Sequence, residues 1–426
     1  MSAFLLHRIH FCCSQLGMGY FQFMRILLWI IVCFIALLSA QTPWLRAGVG
    51  GSVIGQSYYV LEQDTLAITS EGKLLLDANY EKIFNAHTIN GEFFSDIGDR
   101  SFWAQARARW DFKLGDFKIE GSEAVEGRIP YKSGDDVVKY GKQRFNLSLS
   151  QRFGLNKLSA RVWVEGKKYD DRSDYYYNYD LLRSMLSYSF NIFDFDADLS
   201  WSYSFRNVPD SANANYDRRQ LEFGMSKLWN SGHWSEFLIE YDREHFPSED
   251  ERGSYNALWA NTQVSVIVSD FTIEPSAEFE TRRYDIEDEI FFSYMYLNTG
   301  LETGIDIGKW NFAVGPVFAL QIADEQYSSE RFKDLGLGLS ANCLNYGTFW
   351  LFATVEPGKR FYDAPVDTML SLSDYYFFDM SLNGSIWILK NLRTDISASY
   401  FPEWHKEKRD DMTTSYLSVA VRYEFY

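Results

Sequence analysis

Apolar and polar residues alternate with a period of two along most of the chain after residue 40. Over residues 102–114 the even positions carry Phe, Ala, Trp and Leu, while the odd positions carry mainly Gln, Arg, Asp and Lys. Over residues 195–206 the apolar row occupies the odd positions, and Asp, Ser and Arg occupy the even ones. Successive side chains of a β-strand point to opposite faces, so this pattern predicts strands with one apolar and one polar face. We therefore expect an all-β fold.

The connections between the predicted strands alternate in length. Short turns are expected near residues 154–156, 230–232 and 308, and longer polar loops at 170–175, 207–216 and 324–330. Short turns at one end and long loops at the other are typical of a transmembrane β-barrel, which also requires an even strand count. The pattern predicts an antiparallel transmembrane β-barrel of about 20 strands, with 18 as the alternative because glycines at 48–55 blur the first strand. The predicted strands include residues 71–83 and 290–307.

The first 40 residues have the composition of a leader. From Met24 the sequence has Arg25, an apolar stretch over residues 26–38, and the small residues Ser39 and Ala40. This order is typical of a cleaved secretory signal peptide. We interpret residues 1–40 as a leader with a start at Met24, and residues 41–426 as a single exported barrel domain.

Net charge and cysteine count argue against several classes of function. The net charge of −17 argues against a nucleic-acid partner. Three of the four cysteines lie in the leader, so neither disulfides nor cysteine-based metal sites are expected. We expect no cofactor and no metal. Aromatic residues make up 18% of the chain, and membrane barrels use such residues as girdles at the two membrane interfaces.

The chain ends in Val-Arg-Tyr-Glu-Phe-Tyr, with Tyr423 and Phe425 on the apolar row and Tyr426 one residue beyond it. This ending resembles the C-terminal aromatic signature by which outer-membrane barrels are recognised for insertion. The resemblance implies a porin-like barrel in a Gram-negative outer membrane. Its partners would be outer-membrane lipid and the barrel-insertion machinery.

If the apolar rows face lipid, the opposite rows face the lumen and divide its wall by charge. The predicted basic sector contains Arg107, Arg109, Arg144, Arg152, Arg161 and Arg183. The predicted acidic sector contains Asp196, Asp198, Glu236, Glu240, Asp242, Glu274 and Glu278. In a water-filled lumen these sectors would create a transverse field that orients dipolar solutes. Alternatively, the charges pair across neighbouring strands and fill a closed lumen.

Two functions follow from these alternatives. The first is a channel for the passage of small polar solutes. The second is a closed, surface-exposed barrel with a structural role, or with a ligand- or partner-binding role carried by its external loops. We expect no enzymatic activity and no catalytic residues, because His87, His233, His245 and His405 fall at or near turns, strand ends and loops, where solvated histidines are usual.

Overall fold

The computed structural model describes residues 45–60, 65–84, 87–98, 101–131, 138–170, 177–209, 211–247, 253–345, 347–363, 373–406, 408 and 411–425. These residues form twenty β-strands. The strands are β1 Leu45–Val60, β2 Thr65–Phe84, β3 His87–Gly98, β4 Ser101–Leu114, β5 Phe117–Pro130, β6 Tyr140–Phe153, β7 Asn156–Tyr169, β8 Tyr179–Ile192, β9 Phe195–Asn207, β10 Tyr216–Leu228, β11 Trp234–His245, β12 Tyr255–Val268, β13 Phe271–Tyr284, β14 Tyr294–Ile307, β15 Trp310–Ala323, β16 Phe332–Asn345, β17 Phe349–Tyr362, β18 Tyr375–Leu389, β19 Leu392–His405 and β20 Met412–Phe425.

The strands form one closed antiparallel sheet. Each strand pairs with the next in sequence, and β20 pairs with β1 through partners such as Tyr423 and Val49. Closure leaves no unpaired edge. The predicted all-β antiparallel barrel is confirmed, with the larger of the two expected strand counts.

From β4 onward, short and long connections alternate as predicted, whereas only two residues separate β3 from β4 at the long-loop end. The β4–β5 and β6–β7 turns use Gly115 and Gly154 at φ of 59° and 65°, a conformation that favours glycine. Two 3-10 turns, Ala212–Ala214 and Glu325–Glu330, lie in long connections at the opposite end of the barrel. Among the described residues, no helix is long and apolar enough to cross a membrane.

The two faces of the sheet are chemically distinct. On β16 the apolar row is exposed, with Leu337 and Leu339 at 44% and 40%. On the polar face some side chains reach over a whole strand: Arg183 of β8 donates to Gln220 of β10 at 3.1 Å. Such reach requires a concave surface on which side chains converge. The polar rows therefore face the lumen and the apolar rows face outward.

Two strand starts differ from the prediction. β2 begins at Thr65 rather than at residue 71, because β1 extends to Val60 and its backbone pairs with the added residues. β14 begins at Tyr294 rather than at residue 290, because the Asp288 carboxylate accepts the backbone N–H groups of Ile290 and Phe291, both at 2.8 Å, and holds a loop there. The predicted leader, residues 1–40, and Tyr426 lie outside the described residues.

Candidate functional site

Much of the predicted basic sector is paired with carboxylates. Arg107 and Arg109 project from β4 and both contact Glu92 of β3, at 3.4 and 3.3 Å. Arg144 of β6 donates to Glu165 of β7 at 2.8 Å, and the side chain of Glu165 is only 7% exposed. These arginines lie on the lumenal face. Arg107 and Arg109 share one carboxylate, and Arg144 shares Glu165 with Lys142, so their positive charge is only partly balanced.

The other three predicted basic residues have a different environment. Arg183 donates to Gln220 and lies 5.8 Å from the centre of the Trp163 ring. Arg152 and Arg161 are exposed, and neither forms an ion pair within the described part of the chain. Arg152, Arg161 and Arg183 thus have no carboxylate partner among the described residues, and their positive charge is uncompensated.

Part of the predicted acidic sector is also compensated. Arg218 of β10 contacts Asp242 at 2.7 Å and Glu240 at 3.8 Å. Glu278 accepts a hydrogen bond of 2.7 Å from the indole N–H of Trp259. These three carboxylates have stable partners close to the long-loop end of the barrel.

The remaining acidic residues are more open. Asp196, Asp198 and Glu236 are exposed, and Asp196 accepts only a long contact of 3.4 Å from Asn191. Glu274 is half-buried. Among the described residues, none of these four carboxylates forms an ion pair, so this part of the wall retains its negative charge.

Glu274 belongs to a larger feature, which we name the carboxylate recess: the four side chains Glu274, Glu302, Glu356 and Asp379 around a cavity of about 500 Å³ in the lumenal wall. Glu274 lies directly opposite Glu302 in the β13–β14 ladder, and Glu356 directly opposite Asp379 in the β17–β18 ladder. Like charges directly opposite each other destabilise a sheet. Water or a ligand in the cavity would relieve the repulsion within both pairs.

The sheet is irregular at the carboxylate recess. Between β14 and β15 the ladder lacks the pairings of residues 301–302 with 315–316, where Pro316 has no N–H to donate. Matching gaps occur at Pro275, Pro357 and Pro402, each beside or opposite one of the four carboxylates. Gly315 and Gly338 line the recess. Interrupted ladders and missing side chains together make the wall concave at this level.

A ring of tyrosines marks the long-loop end of the lumen, and we name it the tyrosine rim. Each member is the first residue of an even-numbered strand and donates to a carboxylate of the preceding strand. The pairs are Tyr140 to Glu126 at 2.6 Å, Tyr179 to Glu165 at 2.7 Å, Tyr255 to Asp242 at 3.0 Å and Tyr294 to Glu280 at 2.7 Å. Arginines cover the rings, with Arg206 4.6 Å from Tyr179 and Arg282 4.5 Å from Tyr255. The rim is therefore pinned and largely neutralised, unlike the carboxylate recess below it.

His405 does not have the solvated loop position expected from the sequence. It is the last residue of β19, and its side chain is 9% exposed. Its Nδ1 lies 3.1 Å from the Ser373 hydroxyl and its Nε2 lies 3.3 Å from Glu403 Oε2. The centre of its ring lies 4.6 Å from that of Tyr375, with the two planes tilted by 36°. The expectation that all the histidines are solvated is wrong here, because Ser373 and Tyr375, at the start of β18, pack against the imidazole.

An ion pair outside the lumen joins strand β11 to the loop that follows β13. Arg243, near the end of β11, donates to Asp285 in the loop after β13 at 2.7 Å. This hydrogen bond from Arg243 lowers the pKa of the Asp285 carboxyl below its ordinary value.

Sequence analysis did not identify three carboxylates of the recess, Glu302, Glu356 and Asp379. It also did not identify Ser373 and Glu403 as partners of His405. The three carboxylates sit on polar rows that the alternation does predict, but their pairing depends on strand register. The tyrosine rim has a sequence signal, since a tyrosine recurs at the start of alternate predicted strands. Ser373 and His405 are separated by a strand, a turn and another strand, and no local pattern connects them.

Of the predicted insertion signal, the structure describes Tyr423 and the backbone of Phe425. Tyr423 lies on the outward row and is 39% exposed. Phe425 pairs through its backbone with Ala47 of β1, which places it on the closing seam of the barrel.

No protein-family model matches this chain, and no curated protein matches it in sequence. Solved structures do match it in fold. The siderophore receptor PirA from Pseudomonas aeruginosa aligns with a TM-score of 0.54 at 8% identity, over 90% of this chain and 81% of that one. The alcaligin outer-membrane receptor FauA from Bordetella pertussis gives 0.52 at 12%, over 90% and 76%. The FrpB iron transporter from Neisseria meningitidis gives 0.52 at 10%, over 92% and 83%. The chain therefore has the fold of outer-membrane β-barrel proteins.

Proposed function

We propose that this chain is an outer-membrane channel that lets small polar solutes pass through a water-filled lumen. The observation that carries the proposal is the carboxylate recess. Glu274, Glu302, Glu356 and Asp379 face one another in two cross-strand pairs, with no ion pair among the described residues. Charged groups that are even partly enclosed need partners or water, so four carboxylates without an ion pair favour a wet lumen over a packed one.

The distribution of charge on the lumenal wall determines which ions the channel favours. Glu92 and Glu165 offset part of the charge of the basic sector, whereas the four carboxylates of the recess have no cationic partner among the described residues. Low-dielectric walls focus the field of the uncompensated charges and raise the local concentration of counter-ions. We infer that cations and neutral polar solutes pass more readily than anions.

The alternative is a closed barrel that acts through its long loops. The observation in its favour is the paired character of the lumenal arginines, since Arg107, Arg109, Arg144 and Arg218 all contact carboxylates. Such networks can brace a lumen that does not conduct. The two functions differ in whether solutes cross the barrel.

Location and partners follow from the same proposal. Export through a cleaved leader would bring the barrel to the insertion machinery, with Tyr423 and Phe425 as part of the recognised ending. The exposed apolar rows would then contact outer-membrane lipid. Small polar solutes would be the cargo.

Liposome swelling tests solute passage directly. The purified full chain is reconstituted into vesicles loaded with an impermeant polymer, which are then diluted into isotonic solutions of neutral sugars of increasing mass. The proposal expects swelling that slows as the sugar becomes larger. Vesicles with heat-denatured protein are the control. Swelling no faster than in the control with the smallest sugar would favour the closed barrel.

A further inference from the structure

Ser373, His405 and Glu403 form a cluster that the channel function does not use. Ser373 precedes β18, and its neighbour Asp374 is fixed between two strands: the Asp374 carbonyl accepts the Lys406 N–H at 3.0 Å. The backbone N–H of His405 donates to Asp411 at 2.7 Å. The serine and the histidine are thus each held by their own backbone anchors.

The three side chains are arranged for proton transfer. Ser373 Oγ lies 3.1 Å from Nδ1 of His405, and Glu403 Oε2 lies 3.3 Å from Nε2. With the imidazole proton on Nε2, donated to Glu403, the lone pair of Nδ1 faces the serine hydroxyl. A tilted contact with the Tyr375 ring, 4.6 Å between ring centres, restricts the orientation of the imidazole. A nucleophile within hydrogen-bond reach of a base, itself oriented by a third group, is the arrangement that activates a serine.

We propose that this cluster hydrolyses acyl esters, with Ser373 as nucleophile, His405 as general base and Glu403 as the positioning carboxylate. This revises the sequence-based expectation of no enzymatic activity. It does not depend on the proposed channel, because a barrel that conducts nothing can still expose the long-loop end of its lumen to solutes.

The reaction needs only water as a second reactant. Ser373 Oγ attacks the ester carbonyl while its proton moves to His405 Nδ1. The tetrahedral intermediate collapses, and the alcohol leaves with that proton, so an acyl-serine remains. Water then attacks the acyl group, gives one proton to His405, and releases the carboxylic acid as the proton returns to Ser373.

The position of the cluster in the barrel and the charges around it limit which esters it can hydrolyse. Glu403 pairs in the ladder with Phe377 on the lumenal face, so the cluster addresses solutes in the lumen rather than the acyl chains of membrane lipids. The exposed carboxylate of Asp379 lies on the same face, and the nearby Arg360 is bound to Asp334 at 2.7 Å. Net negative charge here repels anions. The substrates are therefore short acyl esters of neutral or cationic alcohols.

The first test uses the purified full chain, a biotinylated fluorophosphonate and p-nitrophenyl acetate. We expect the wild type to be labelled at Ser373 and to hydrolyse the ester, and Ser373→Ala to lose both properties. Ser397→Ala is the matched control, because Ser397 is a lumenal serine that donates to Asn383 at 2.8 Å and has no histidine partner. Folding of each variant is checked by its heat-dependent mobility on a denaturing gel. Absence of labelling in the wild type, or equal labelling of Ser373→Ala, would overturn the proposal.

Further variants separate the roles. His405→Gln should lower kcat by about 10² to 10⁴-fold, the usual contribution of a general base. Glu403→Gln should lower kcat with little change in KM, and Glu403→Asp should restore part of the loss. Equal activity of Glu403→Gln and wild type would remove Glu403 from the mechanism.

Acetylthiocholine should be hydrolysed with a higher kcat/KM than the anionic ester 4-acetoxybenzoate, and the reverse order would overturn the substrate class.

Discussion

Replacing Leu339 with arginine tests which face of the sheet meets lipid. Leu339 lies midway along β16, a strand of 14 residues, and is 40% exposed on the outward row. At about 3.3 Å per residue and a tilt of about 40°, such a strand spans slightly more than the roughly 30 Å of the bilayer hydrocarbon. Leu339 therefore lies near the midplane. An outward arginine there should cost about 2 to 4 kcal/mol of unfolding free energy.

The adjacent Ser340 is the matched control. Its hydroxyl donates to Glu302 at 2.8 Å, and it lines the carboxylate recess. Ser340→Arg loses a hydrogen bond of about 1 kcal/mol but places a cation among carboxylates, so the two effects offset each other. Equilibrium urea unfolding of vesicle-inserted protein, followed by tryptophan fluorescence, measures both variants. Equal costs for Leu339→Arg and Ser340→Arg would refute the assignment of the two faces.

Three further predictions address topology, packing and the loops. A cysteine at Ser211, in a long connection, should be labelled on intact cells by an impermeant reagent, whereas one at Asn156, beside a short turn, should not; equal labelling would contradict the orientation. Gly315→Ala should destabilise the barrel by about 1 to 3 kcal/mol because its Cβ would lie 1.9 Å from the Leu301 carbonyl oxygen, whereas Gly338→Ala, with 3.5 Å to its nearest atom, should cost little in the same urea unfolding assay. Asp285→Asn should lower stability at neutral pH, and the difference from wild type should vanish as the pH falls through the lowered pKa of Asp285, because a carboxyl with a depressed pKa stabilises the fold only while it is ionised; a difference that persists in acid would contradict the ion pair.

The barrel could be predicted from the sequence because its determinants are local. Alternation along a strand reports which residues share a face, and loop length reports which end of the barrel a connection occupies. The prediction failed at strand ends that depend on distant partners. Thr65 joins β2 because β1 is present beside it, and Ile290 is excluded from β14 because Asp288 caps its N–H.

The site could be predicted only in part, because it depends on register between strands. The lumenal position of Glu274 follows from alternation, but its direct opposition to Glu302 requires the β13–β14 pairing. The contact of His405 with Ser373 requires that the residue just before β18 lie beside the end of β19. The alternation of apolar and polar residues predicts neither the Glu274–Glu302 pair nor the His405–Ser373 contact.

Single-channel recording in planar bilayers tests the central claim most directly. The account predicts discrete conductance steps and, under a salt gradient, a reversal potential that indicates cation preference. The double variant Glu356→Gln, Asp379→Asn should reduce that preference, most strongly at about 0.01 M salt, where the screening length is about 30 Å. Glu289→Gln, which removes an exposed loop carboxylate, should leave it unchanged. A folded, inserted barrel that shows no conductance steps would contradict the water-filled lumen.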